Sequence, residues 1–313
     1  MEENKTLKSK TFIGGEEWHK KKMPLPTFYN TAVDIDTIIA QIDRNLENIA
    51  HSVVLHEIEK EDDTLIRRHK EKFLEALDSP QQHQPNWHQW GIITHTRKFM
   101  QMYDNEVSAY LQLWGREAEI EAHFSETIDG IPKGKLIYLG ILLHDIGKFR
   151  KNYSKVLNMR VVYTFNRHEV YSQQIIQNDL YVLLHDRYGL TDRQIEYVAM
   201  CARYHFELGF IREIGKKSKH GYSAAFANSD TFKESVYSAL PSFEEYKIEV
   251  GVLFLADSCA KTDVAFEGRS DREIREELST RKLNPKLIQA VKQKPVNIEV
   301  AKCYLETMLS TTT

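Results

Sequence analysis

Two apolar runs of this 313-residue chain end on groups that a protein interior does not accept without partners. Residues 134–149, GKLIYLGILLHDIGKF, are apolar at Ile137, Leu139, Ile141, Leu142 and Leu143 and then present His144 and Asp145 just before Gly147 and Lys148. Residues 250–263, VGVLFLADSCAKTD, place Asp257 after a stretch in which five of six positions are apolar. An unpartnered buried charge costs several kcal/mol, so Asp257 has to be paired, protonated or bound to a metal.

The rest of the chain is consistent with an all-α class. Hydrophobic residues make up 42% and charged residues 28%, with only 14 Gly and 8 Pro to interrupt helices. Val33, Ile35, Ile38, Ile39, Ile42, Leu46 and Ile49 recur at helical spacing, which predicts one long helix or a helical pair over 33–78. SPQQHQP at 79–85 breaks that pattern and reads as a linker. Further helices are expected over 89–114, 117–128, 134–148, 167–186, 191–208, 222–238, 243–263, 271–279 and 284–310. Residues 158–164 and 209–214 have extended character, and DGIPKGK at 129–135 reads as a turn into the next helix. The expected organisation is an irregular arm over 1–32, a helical segment and linker over 33–82, the principal domain over 83–263 and a helical extension over 264–313.

A formal net charge of −3 and a pI near 6.5 do not suit a wholesale nucleic-acid coat. Cys201, Cys259 and Cys303 are widely spaced and odd in number, which argues against a disulfide framework and for a reducing compartment. No run approaches 18 uncharged apolar residues and residues 1–24 lack a secretory apolar region, so the expectation is a cytoplasmic protein without a membrane partner.

His95, in THT at 94–96, sits beside the apolar Ile92, Ile93, Phe99 and Met100. With His144, Asp145 and Asp257 it gives two imidazoles and two carboxylates from three helices, a shell suited to Mn, Fe, Mg, Zn or Ni. His168, which opens RHEVYSQQII, and His205, which ends VAMCARYHF, complete a second ion if Asp145 bridges. Two ions about 3.5–4 Å apart clamp a phosphoryl oxygen and activate a water.

Around this set, Lys148 is the first candidate for holding a phosphate or a leaving oxygen, with Lys261, one turn after Asp257, and Arg97 as further substrate-binding candidates. His88 and Trp87 offer a wall or stacking face for a base, while Trp87 and Trp90 also suit a seal between linker and domain. Glu169 is placed to orient His168. The second His-Asp pair, His185-Asp186, lacks the following Gly and Lys; it precedes TDRQ, where Thr191 and Gln194 fit a capping box, and reads as a helix terminus.

The ordered set His95, His144-Asp145 and Asp257 resembles the signature of the HD superfamily of helical metal-dependent phosphohydrolases over residues 83–263. HQPNWHQWGIITHT at 83–96 is similar to the start of the HD domain in bacterial CCA-adding tRNA nucleotidyltransferases, and RHEVYSQQI at 167–175 to that family's next His-Glu segment. Residues 1–80 contain no Gly-Ser and paired-Asp strand motif, so tRNA end synthesis does not carry over. The Gly-Tyr-Pro element of cyclic dinucleotide phosphodiesterases is also missing, and HGYS at 220–223 does not replace it.

The resemblance implies an HD-type helical fold with added N- and C-terminal helices. It implies a phosphatase or phosphodiesterase using one or two divalent ions, a metal-activated water, Asp145 and Lys148. The expected partner is a small phosphorylated substrate, a nucleotide or an RNA end, and the N-terminal helical segment is a candidate dimer interface. The same six ligands also suit a di-iron oxygenase of HD type, and a nucleotide-sensing module without catalysis is the other alternative.

Overall fold

The computed structural model describes residues 34–150, 152–157 and 160–310, so the arm expected over 1–32 lies outside the described residues. Asp34 accepts from the Thr37 amide and opens α1 (Ile35–Glu59), on which Ile38, Ile42, Leu46, Ile49 and Val53 repeat at helical spacing and are buried. Residues 33–78 contain a pair of helices because Asp63 caps a second one, α2 (Thr64–Leu74), by accepting from the Leu65 and Ile66 amides. Phe73 then ties α2 to the rest of the fold, its ring meeting those of Phe149, Tyr163 and Phe165 at 5.1–6.3 Å.

The helix expected from 89 starts at Ile92. Asp78 reaches across to its first turn and accepts from the Thr94 amide at 2.9 Å. From α3 (Ile92–Met102) a π-type turn, Tyr103–Val107, leads into α4 (Ser108–Leu113), followed by α5 (Glu117–Ser125). DGIPKGK is more than a turn: β1 (Thr127–Ile128) pairs antiparallel with β2 (Ile131–Pro132) around Asp129 and Gly130, both at positive φ. A two-residue hairpin turn of this hand favours Asp-Gly.

Next come α6 (Lys133–Leu143) and the short α7 (Gly147–Arg150). The extended segment is the second arm of a hairpin, β3 (Tyr153–Leu157) with β4 (Arg160–Thr164), in register from Tyr153 opposite Thr164 to Leu157 opposite Arg160. The stretch expected as one helix over 167–186 is α8 (His168–Gln174) followed by π-type turns Ile175–Asp179 and Val182–Arg187. The capping box of Thr191 and Gln194 opens α9 (Asp192–Tyr204).

Residues 209–214 are not extended but lie in α10 (Gly209–Lys217). Their Ile and Phe suit a strand, yet Ile211 and Gly215, four apart, are both buried, and that is helical spacing. The helix expected over 222–238 is divided into α11 (Ala224–Ala227) and α12 (Asp230–Ala239), because Ser223 and Ser229 each cap a separate start. The chain closes with α13 (Lys247–Ala260), α14 (Asp271–Thr280) and α15 (Ile288–Ser310).

Two helices are buried nearly all round. Residues Leu136 to Leu143 of α6, except Tyr138, are buried among α1, α3 and α9, and residues Ile248 to Ala260 of α13 are buried among α3, α9 and α15. A helix apolar on every side belongs in a core, and these two carry His144-Asp145 and Asp257 into it. Among the described residues no helix is long and apolar enough to cross a membrane.

Candidate metal centre

His144 is the C-cap of α6, and the chain turns at once through Asp145 into α7. Gly147 makes that turn fit. Its amide donates to Ser172 Oγ at 2.9 Å, and the same hydroxyl donates to the His144 carbonyl at 2.6 Å, so α8 is fastened to the turn. A Cβ on Gly147 would lie 2.0 Å from the His168 carbonyl oxygen and 2.5 Å from the Ser172 amide nitrogen, both backbone atoms. Gly147→Ala is therefore expected to push α8 away and cost about 1–3 kcal/mol, read as a lower denaturant midpoint. An unchanged midpoint would show that the close approach is not required.

Asp145 is the hub. Its Oδ2 lies 2.7 Å from Lys148 Nζ, 3.2 Å from His144 Nε2 and 3.9 Å from His95 Nε2, and its Oδ1 lies 3.2 Å from His168 Nε2 and 3.9 Å from His205 Nε2. Asp257, from α13, stands 3.0 Å from His95 Nε2 and 2.9 Å from Lys261 Nζ. His95, His144, Asp145, His205 and Asp257 are all at most 3% exposed. Two His/Asp triads capable of holding a metal ion result, His95–His144–Asp257 and His144–Asp145–His205, in each of which the ligand atoms lie within 4.8 Å of one another.

The tautomers make the case sharper. His144, His168 and His205 each donate Nδ1–H to the backbone carbonyl three residues earlier, at 2.7, 2.9 and 2.8 Å. Each Nε2 is then left with a lone pair, and it faces Asp145. Asp145 Oδ1, His144 Nε2 and His168 Nε2 find no hydrogen-bond partner among the described residues. Lone pairs facing a carboxylate repel it unless the imidazoles take second protons or a cation lies among them. Burial pushes the His205 imidazole well below its usual range, which opposes a second proton on that ring. The donor set fits a divalent cation.

Burial alone would raise both carboxyls, but the Lys148 ammonium beside Asp145, and Lys261 with His95 beside Asp257, hold them well below the usual carboxylate range. Above the cluster lies a cleft of about 270 Å³ whose wall includes His88, Lys148, His168, His205, Asp257 and Lys261. Lys261 also sits over the Phe206 ring at 4.6 Å.

Arg97 is not brought to this site. It points to the other side of α3, where its Nε bonds Asp43 at 2.9 Å on an open surface. Glu169 comes within 3.4 Å of His168 Nδ1, but the Phe165 carbonyl is the closer partner of that nitrogen. His185 and Asp186 are exposed and bond each other. Trp90 donates to the Ala260 carbonyl at 3.1 Å, whereas Trp87 lines the cleft with Arg212 over its ring at 5.4 Å.

The linker reading of SPQQHQP missed His83. This residue is fully buried, 2.8 Å from Lys148 Nζ and 3.8 Å from Asp145 Oδ2, and it stacks on His88 at 3.9 Å between ring centroids. Comparison with protein-family models and with curated proteins finds no match to this chain.

Proposed function

We propose that the chain is a metal-dependent phosphohydrolase of HD type that cleaves a phosphomonoester or phosphodiester of a nucleotide or an RNA end. The observation that carries this reading is the set of three imidazoles with Nδ1 tied to backbone and Nε2 turned toward Asp145, beside the buried Lys148 and the partly buried Lys261 in one cleft. In this reading His95, His144, Asp145, His168, His205 and Asp257 hold one or two divalent ions. Such ions withdraw charge from a phosphoryl oxygen and make a water more acidic.

The chain's own groups do the rest. Lys148 and Lys261, each already bonded to a carboxylate, keep further N–H donors for phosphoryl oxygens. His88 and Trp87 border the space beside them, and the indole and the guanidinium of Arg212 suit the flat organic half of an ester better than free phosphate. The catalytic unit, residues 83–263, borrows part of its wall from α15, where Gln293 and Asn297 reach the cleft and Asn297 bonds Ser258 and Tyr222.

The test is elemental analysis of protein purified without added metal, then phosphate release after supply of Mn, Ni, Mg, Fe or Zn. The panel is a set of phosphomonoesters and 2′,3′-cyclic nucleotides. Bound metal with release from at least one ester is the expected result. Bound metal, no release from any ester, and oxygen uptake would overturn the reading in favour of an oxygenase; bound metal with tight nucleotide binding and no turnover would favour a sensing module.

A further inference from the structure

An ammonium group has three N–H donors in tetrahedral directions. Lys148 has two of them engaged, one on Asp145 Oδ2 at 2.7 Å and one on His83 Nε2 at 2.8 Å. Fixing two directions fixes the third, and Lys148 lines the cleft. His83 is held just as firmly. Its Nδ1 donates to the Trp90 carbonyl at 3.0 Å, which leaves Nε2 as an acceptor, and its ring lies between His88 at 3.9 Å and Phe165 at 6.3 Å.

Without His83 the lysine would have a single anchor, and a four-carbon stem anchored once is free to lie flat on the carboxylate. We propose that His83 is a positioning residue: its Nε2 lone pair, 2.8 Å from Lys148 Nζ, fixes that ammonium so that its remaining N–H meets an oxygen of the bound phosphoester. The proposal rests on the phosphohydrolase reading, but the placement of Lys148 has a readout of its own.

The comparison uses the full chain supplied with metal, in five forms: wild type, His83→Phe, His83→Gln, Lys148→Met and the double variant His83→Phe/Lys148→Met. Phe keeps the stacking area and removes the acceptor, whereas Gln offers an amide oxygen near the place of Nε2. His83→Phe is expected to lower kcat by about 10- to 100-fold, the penalty of a misplaced catalytic group, with little change in KM or metal content. His83→Gln should recover most of that loss, and the double variant should be no slower than Lys148→Met alone.

Independently of turnover, labelling of Lys148 by an amine acetylating reagent, followed by peptide mass spectrometry, should be faster in His83→Phe and near wild type in His83→Gln. If His83→Phe folds poorly, His83→Asn, whose side chain stops short of Lys148, serves in its place. Unchanged labelling, or a double variant slower than Lys148→Met by the full factor of the single change, would overturn the proposal. If the wild type hydrolyses no ester while Lys148 labelling still responds to His83, the functional reading fails and the positioning stands.

Discussion

Asp145→Asn is expected to slow release from any phosphoester the metal-loaded protein accepts by on the order of 10³-fold and to weaken divalent-ion binding by more than about 100-fold. The reason is the number of groups that converge on this one carboxylate: His144 and Lys148 on Oδ2, and His168 and His205 on Oδ1. Asn keeps the shape but loses the charge, and neither orientation of its amide suits the site. An NH₂ turned toward Lys148 meets an ammonium, and an NH₂ turned toward His168 donates into the lone pair that a metal needs. Circular dichroism should stay that of the wild type, while elemental analysis and phosphate release fall together. An Asn variant that keeps its full metal complement and its turnover would mean that the chemistry lies elsewhere in the molecule.

The parts of this centre legible in the sequence are those where polarity contradicts local pattern. His144-Asp145 and Asp257 stand out because the runs before them are apolar on every side, so the sequence itself implies burial. His205 follows the buried Cys201 and Ala202 at helical spacing, which made it visible as well. His83 had no such signal. It lies in a stretch without periodicity among Gln and Pro, and its burial comes from packing on His88, Phe165 and Lys148, the last of them 65 residues away in sequence. Arg97, two positions after His95, already falls on a different face of the helix by its spacing, whereas its partner Asp43, 54 residues away, has no local signal. The helix α10 was hidden by the strand preference of its Ile and Phe residues, which tertiary contacts override.

The second large effect concerns stability and the opposite end of α13. Glu249 is fully buried, two turns before Asp257, and its Oε1 accepts from His123 Nε2 at 2.8 Å and from Tyr197 OH at 2.9 Å. His123→Leu removes one of its two donors and leaves the buried carboxyl with Tyr197 alone. Breaking a buried pair by deleting one partner costs about 3–5 kcal/mol. The low end is expected here, because the His123 side chain is 18% exposed and water reaches that side of the pair.

Tyr197→Phe should cost only about 1 kcal/mol, the net worth of one hydrogen bond. The informative variant is the double one. Made in a Tyr197→Phe background, so that no hydroxyl loses its acceptor, His123→Leu/Glu249→Leu removes the remaining polar partners, and replacement of a buried pair by apolar groups is often neutral or stabilising. Denaturant unfolding should therefore give a low midpoint for His123→Leu and a recovered one for the double variant, with metal content unchanged in both, since His95, Asp257 and Lys261 are untouched. A double variant as unstable as the single one would show that packing around His123, and not the stranded carboxyl, sets the cost.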